Sequence, residues 1–202
     1  MHKLFAIIML TIMATATVIG QDQKSEPKNY VEVRGSSLYQ FGEYTKTIGE
    51  KTVVDLYYIR TGGQDQGFAG VGRTFKLGNA GTMNTLIYGI VGSHGQFGVM
   101  PALLIPSLQK GRVKTTAFLG WFIPIKGEVH QYLVIDSWDT TAETTKKLDI
   151  GVSIGFFLQD GKWNQKAGPM ARLNLDKLGS WTISERFGPG GKELRFARTF
   201  SF

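Results

Sequence analysis

Strict alternation between apolar and small or polar residues runs almost unbroken from Leu148 to Gln159. The apolar members share one face of an extended strand, and they are Leu148, Ile150, Val152, Ile154, Phe156 and Leu158. This strip is about 35 Å long at ~3.3 Å per residue, which exceeds the strand of an average soluble sheet. Its opposite face is small and polar, as a barrel interior would be, and its length suits the ~9–11 tilted residues that cross a bilayer. Strands of soluble β-sandwiches alternate too, so this strand alone does not decide between the two.

Extended stretches of this kind follow one another along most of the chain, each ended by turn residues. Their approximate ranges are 36–47, 52–61, 67–77, 83–92, 97–105, 112–124, 128–138, 147–159, 166–175, 180–187 and 193–202. Asp160-Gly161 is a strong tight-hairpin signal, because both central positions of that turn favour positive φ. No segment keeps a helical period, so the pattern predicts an all-β antiparallel meander. Residues 30–34 add a twelfth strand if they pair, and ten strands result if one stretch does not span.

The last ten residues, ELRFARTFSF, place Leu194, Phe196, Phe200 and Phe202 on one strand face. A chain that ends on an aromatic residue after such a strand resembles the bacterial outer-membrane β-barrel proteins. The resemblance implies a transmembrane, antiparallel up-and-down β-barrel of about 10–12 strands, with the lipid bilayer as its environment. It also implies that the outer-membrane insertion machinery recognises Phe202.

The first 20 residues have the form of a cleaved secretory signal peptide: Met1-His2-Lys3 is followed by an apolar run that ends in small residues. Cleavage is predicted after Ala16 or Gly20. An amino-terminal anchor is the alternative, although the run is short for a membrane span. We therefore expect three parts: a signal peptide (1–20), a polar lead-in (21–35) and the β-barrel (36–202). The expected location is the cell outer membrane.

Composition excludes several classes of function. The chain has no Cys, so thiol catalysis and cysteine-based metal sites are excluded. Its 23 Lys and Arg exceed its 16 Asp and Glu, but they are scattered singly rather than in a basic block, which argues against nucleic acid. His and carboxylate residues do not recur at ligand-like spacing, so neither a metal nor another cofactor is expected.

Three arginines on the last strands share the polar phase: Arg172, Arg186 and Arg195. Neighbouring strands of a meander lie about 4.8 Å apart, so these side chains are candidates for a basic ladder on the inner wall that favours anionic solutes. The alternative is a network of salt bridges with Asp149, Asp176 and Asp55 that fills a narrow barrel. Arg172, Arg186, Arg195, Asp149 and Asp55 are therefore the candidate pore-lining or binding residues.

Some features weaken the membrane interpretation. Arg198 falls on the apolar phase of the closing strand, and Pro101 and Pro169 lie inside predicted strands, where they require bulges or strand ends. The segment FGVMPALLIP (97–106) is apolar on both faces, so part of the interior must be dry.

The predicted function is a passive pore for small solutes, or else a structural membrane protein. If the arginine ladder forms, the solutes are expected to be anionic. A soluble periplasmic or secreted lipocalin-like β-barrel that binds an apolar ligand is the alternative, and the two-sided apolar segment and short loops favour it. An outer-membrane lipid hydrolase would need Ser93, His94 and His130 to meet, but neighbouring residues on a strand point to opposite faces. We do not expect an enzyme.

Overall fold

The computed structural model describes residues 29–126, 129–139, 148–159, 161–175, 179–189 and 191–201. Apart from one 3₁₀ turn, Ser93–Gly95, the regular elements in these ranges are β-strands. The strands are β1 Asn29–Ser36, β2 Tyr39–Ile48, β3 Thr52–Thr61, β4 Gln64–Lys76, β5 Gly81–Gly92, β6 Gln96–Lys110, β7 Val113–Pro124, β8 His130–Asp139, β9 Leu148–Gln159, β10 Lys162–Asn174, β11 Ser180–Gly188 and β12 Gly191–Ser201.

Each strand pairs antiparallel with its neighbours in sequence, and β1 pairs with β12 to close the sheet. The meander prediction is confirmed, with twelve strands in a closed barrel. Residues 30–34 supply the twelfth, so the barrel begins at Asn29 and the predicted boundary at residue 36 is wrong. Although this segment is short, it forms a strand because it pairs with β2 on one side and with β12 on the other.

Alternation decides which side chains face inward. Large apolar side chains cover the outer face, and they include Val33, Leu56, Val71, Ile87, Val99, Ile123, Ile150, Val152, Leu173, Ile183, Phe196 and Phe200, each 42–65% exposed. The inward residues on the same strands carry most of the buried polar groups. The phase predicted from Leu148 to Leu158 is confirmed, because Ile150 is exposed whereas its neighbours Asp149 and Ser153 are buried.

The two strand prolines are accommodated by gaps in pairing rather than by the bulges we expected. Pro101 pairs with Ile87 of β5, and the β6–β7 pairing is interrupted between Val99 and Ala102 and then resumes in the same register. Pro169 pairs with Val152 of β9, and the β10–β11 pairing skips from Ala167 to Met170. Proline has no backbone N–H to donate, so each proline lies where the strand on one side of it forms no backbone pair with it.

Arg198 does face outward, as its phase predicts, but it lies against aromatic rings. Its guanidinium carbon is 5.0 Å from the ring centroid of Trp181 and 4.5 Å from that of Phe200. Trp181 and Phe200 lie near the barrel end at which β1 begins and β12 ends, where an outward cation and aromatic residues suit an interface.

Several predictions fall outside the described residues: the signal peptide, most of the lead-in, the turn residue Asp160, Asp176 and the terminal Phe202. Within the described ranges, no helix is long and apolar enough to cross a membrane.

Candidate solute site in the barrel interior

The interior has two unlike halves. From β3 to β7 the inward residues form a continuous apolar core, made of Val53, Phe68, Leu86, Tyr88, Ile90, Met100, Ala102, Leu104 and Phe122. From β8 through β12 to β1 the inward residues include most of the buried charges. We call these the apolar half and the charged half. The segment FGVMPALLIP lies on β6 in the apolar half, so the prediction of a partly dry interior is confirmed.

Arg186 and Glu193 form the most buried ion pair of the charged half. They face each other directly across β11 and β12. Arg186 Nη2 donates to both carboxylate oxygens of Glu193, at 2.8 and 2.7 Å, and each residue is only 1% exposed. The Nε and Nη1 atoms of Arg186 are buried and have no hydrogen-bond partner among the described residues. Buried donors of this kind normally bind water or a ligand.

Arg195 crosses the interior. From β12 its Nη1 atom donates to Ser153 Oγ of β9 at 2.8 Å and lies 3.7 Å from Asp136 Oδ1 of β8. The side chain therefore connects strands that are four apart around the barrel.

Arg172 and Asp149 are direct partners across β9 and β10, but they do not form the predicted ion pair. Asp149 Oδ2 instead accepts a hydrogen bond from Asn174 Nδ2 at 2.8 Å. The Arg172 guanidinium stacks on Trp138, 3.9 Å from the ring centroid, and its Nε donates to Thr182 Oγ1 at 3.3 Å. The Asp149 carboxylate is thus on the neighbouring strand to Arg172 but forms no hydrogen bond or ion pair with its guanidinium group within the described ranges.

Asp55 lies on the opposite side of the barrel, in the apolar half. It is fully buried, and its two oxygens accept hydrogen bonds from Thr45 and, at 2.6 Å, from the Tyr88 hydroxyl. The predicted network therefore has different acidic partners: Glu193 and Asp136 pair with the arginines, whereas Asp55 does not.

A cavity of about 2390 Å³ lies between the two halves, and residues from all twelve strands line it. It extends to turns at both ends. Leu38 and Pro189 line it at the end where β1 ends and β12 begins, and Gly49 and Gly78 line it at the end where β1 begins and β12 ends. Among the five predicted site residues, Arg172 and Arg186 line the cavity. Arg195, Asp149 and Asp55 also face inward but are buried in the wall.

Sequence reasoning missed two basic residues that line the cavity. Arg34 on β1 pairs with Glu32 and stacks on Phe41, with its guanidinium carbon 5.0 Å from the ring centroid. Lys166 on β10 is buried and forms no ion pair within the described ranges. Both lie on the polar phase of an alternating strand, which was a signal available in the sequence.

Aromatic side chains line the rest of the cavity. Tyr57 of β3 stacks on Phe68 at a centroid distance of 4.0 Å and meets Phe118 of β7, four strands away, at 6.5 Å. Tyr132 of β8 and Phe157 of β9 form an edge-to-face pair at 6.3 Å. Tyr132 and Trp138 share the inward phase of β8, and both line the cavity.

Ser93, His94 and His130 do not form a catalytic arrangement. Ser93 Oγ accepts a hydrogen bond from the backbone N–H of Asp65 at 3.0 Å, and the His130 ring stacks on Phe122 at 5.8 Å. His94 lies in the 3₁₀ turn with a positive φ of 61°. Among the described residues, no hydrogen bond joins Ser93 to either histidine.

No cluster of three or more His, Asp or Glu side chains that could hold a metal ion occurs within the described ranges. Three buried carboxylates are engaged in other ways: Glu193 by an arginine, Asp55 by hydroxyl groups and Asp149 by an amide group.

Comparison with known proteins gives a likeness of fold. Neither a family model nor a curated protein sequence matches the chain. The solved structure of the KdgM porin aligns with a TM-score of 0.62 at 10% identity, over 86% of this chain and 98% of that chain. The KdgM porin in complex with disordered oligogalacturonate gives 0.63 at 10% identity over the same shares. The NanC porin gives 0.56 at 8% identity, over 86% of this chain and all of that chain. At these identities the fold is shared, and the fold is that of a small porin barrel.

Proposed function

We propose that the protein is a small outer-membrane β-barrel that passes small anionic solutes through its interior. The observation that carries this proposal is the cavity, because it extends to turns at both ends of a closed barrel and is lined by unpaired or partly paired cations. No cofactor is needed for passive diffusion of this kind.

The outer face supports a membrane location. Apolar side chains at about half exposure, such as Ile87, Val99 and Phe196, lie around the barrel rather than in one patch. Soluble proteins rarely expose continuous apolar surfaces larger than a few hundred Å². A lipid bilayer covers such a belt, and it is the environment in which closed barrels satisfy all their backbone groups.

The interior charges support anions as solutes. The described residues that line the cavity include eight Lys and Arg side chains against five Asp and Glu side chains. Among the five, Glu193 pairs with Arg186, Glu32 pairs with Arg34, and Asp136 lies 3.7 Å from Arg195. The KdgM porin has been solved with oligogalacturonate, a polymer with one carboxylate on each sugar. A carboxylate-bearing solute fits the present interior on the same chemical grounds.

The lipocalin-like alternative draws on the apolar half. That half is occupied by its own side chains, since Leu86, Tyr88 and Met100 are nearly or fully buried, so it offers little room for an apolar ligand. A soluble barrel would also leave the outer belt in water, which argues for the membrane interpretation.

Export and assembly complete the proposal. Residues 1–20 would be removed as a signal peptide, and the outer-membrane insertion machinery would recognise the closing strand through Phe202. The antiparallel β12, with Leu194, Phe196 and Phe200 all outward, presents the apolar face that such recognition would use.

Planar-bilayer recording tests the pore. Purified protein should give unit conductance steps, and the reversal potential in a KCl gradient should show chloride permeating better than potassium. Arg172→Ala should lower this anion preference, because Arg172 lines the cavity and forms no ion pair with the carboxylates that the structure describes. Arg195→Ala should lower it less, because that side chain is buried against Ser153 and Asp136. A barrel that inserts but never conducts, or a selectivity unchanged in both variants, would reject the proposal.

A further inference from the structure

Lys166 is a cation of the charged half that faces the barrel interior. Lys166 is 8% exposed, and no carboxylate pairs with it within the described ranges. It is the cross-strand partner of Gly155 on β9, and a Cβ built on Gly155 would lie 2.6 Å from Arg186 Nη1. Lys166 and Arg186 lie on the neighbouring strands β10 and β11 and both line the cavity, while Glu193 pairs with Arg186.

Lys166 lines the cavity, so its ammonium group can be reached by a solute there, and a cation at low dielectric attracts an anion more strongly than one in bulk water. Two further donors at this point, Nε and Nη1 of Arg186, have no hydrogen-bond partner among the described residues. Water or a ligand must satisfy these two donors, and an anionic acceptor would in addition be attracted by the charges of Lys166 and Arg186.

The surroundings of this point are aromatic. The Phe157 ring centroid lies 5.8 Å from the guanidinium carbon of Arg186, and Tyr132 packs edge-to-face on Phe157. Both rings are partly exposed and line the cavity together with Lys166 and Arg186. A hydrated inorganic anion gains nothing from these rings, whereas a ligand with a flat apolar body buries its surface against them.

We propose that Lys166, Arg186, Phe157 and Tyr132 form a slot that binds an aromatic carboxylate, with its carboxylate between the two cations and its ring against the two aromatic side chains. The inference rests on the proposed pore, because the solute would enter through the same cavity, and it names the class of solute that the pore retains.

Ligand binding can be measured whether or not the barrel conducts. The folded full-length barrel in detergent would be titrated with 4-fluorobenzoate and followed by fluorine NMR, with a micelle-only blank. Fluoroacetate keeps the charge without the ring, and 4-fluorobenzamide keeps the ring without the charge. We expect 4-fluorobenzoate to bind at least about tenfold more tightly than either, the equivalent of ~1.4 kcal/mol.

Two substitutions separate the contributions. Lys166→Gln should weaken 4-fluorobenzoate binding about tenfold or more without loss of folding, because it removes a cavity-lining charge that forms no ion pair within the described ranges. Phe157→Leu should weaken it while fluoroacetate binding is unchanged. The matched controls, Lys192→Gln and Phe187→Leu, alter the outward face of the β11–β12 hairpin, which carries Arg186, and should leave both affinities unchanged.

Equal affinity for 4-fluorobenzoate and fluoroacetate, or full binding by the Lys166→Gln variant, overturns the slot. The bilayer recording distinguishes the two proposals. Current without selective 4-fluorobenzoate binding rejects the slot alone. Selective binding without current rejects the pore and leaves the slot as the binding site of a closed barrel.

Discussion

The two halves of the barrel interior use the same geometry with opposite chemistry. In the apolar half, Tyr57 extends from β3 to contact Phe118 four strands away. In the charged half, Arg195 extends from β12 to Asp136, also four strands away. Each half is thus spanned by one long side chain, and the cavity lies between the two spans. A twelve-strand barrel is wide enough to hold a core on one side and an aqueous path on the other.

One glycine in each half makes room for its largest buried side chain. A Cβ on Gly70 would meet the Tyr88 ring at 2.5 Å, and one on Gly155 would meet Arg186 at 2.6 Å. Burial of Tyr88 removes apolar surface from water and stabilises the barrel. Burial of Arg186 costs desolvation that Glu193 offsets. Burial in the apolar half therefore stabilises the barrel, whereas burial of charge in the charged half lowers that stability and provides a site for solutes.

The largest effect is expected from Glu193→Ala. Arg186 would remain buried without its carboxylate, which destabilises a protein by about 3–5 kcal/mol. Urea unfolding of the barrel in lipid vesicles, followed by tryptophan fluorescence, would measure the loss. The double variant Arg186→Met, Glu193→Leu should recover most of it, because no unpaired charge is left. A single variant as stable as the parent would mean that water reaches Arg186 freely.

Leu86→Ala tests the apolar half in the same assay. Leu86 is 2% exposed within the apolar core, so the substitution should cost about 2–4 kcal/mol through lost burial and the cavity that remains. The outward neighbour Ile87, substituted by Ala, is the control, since its loss exposes no core. A cost near zero for Leu86→Ala would indicate that the apolar half is hydrated.

Tyr88→Phe is expected to have a smaller effect. It removes the hydroxyl that donates to Asp55 Oδ2 at 2.6 Å while the ring remains packed. A buried carboxylate that loses one donor should destabilise the barrel by about 1–3 kcal/mol. Thr45 still donates to the other oxygen, which keeps the loss below that of Glu193→Ala. The Tyr58→Phe variant, altered at an exposed ring of β3, provides the comparison.

Alternation predicted most of the architecture, because it is a local property that any single strand displays. The inward phase of Arg172, Arg186 and Arg195 followed from it, as did the outward phase of Leu194 and Phe196. The number of strands did not follow, since residues 30–34 are too short to be assigned without their partners β2 and β12.

The contacts between side chains on opposite parts of the interior wall also could not be predicted from the sequence. Arg195 meets Asp136 only because β12 and β8 face one another in the closed barrel, and the intervening residues give no sign of it. The pair Arg186–Glu193 was closer to prediction, because both lie on the inner phase of one hairpin. Register, and not periodicity, decides such contacts, and register depends on turn lengths and bulges throughout the sheet.

The smallest effect on stability is expected for the ion pair Glu185–Lys192, whose two residues are the sequence neighbours of Arg186 and Glu193. Glu185 and Lys192 lie on the same two strands as Arg186 and Glu193 but point outward, with 3.6 Å between Oε1 and Nζ and with side chains 42% and 73% exposed. Exposed pairs contribute about 0–1 kcal/mol, so Glu185→Ala should change the unfolding free energy by about 0.5 kcal/mol or less. Because backbone, strand and neighbours are shared, the difference from Glu193→Ala isolates the effect of burial. Equal costs for the two variants would show that the interior of the charged half screens charge as well as the outer rim does.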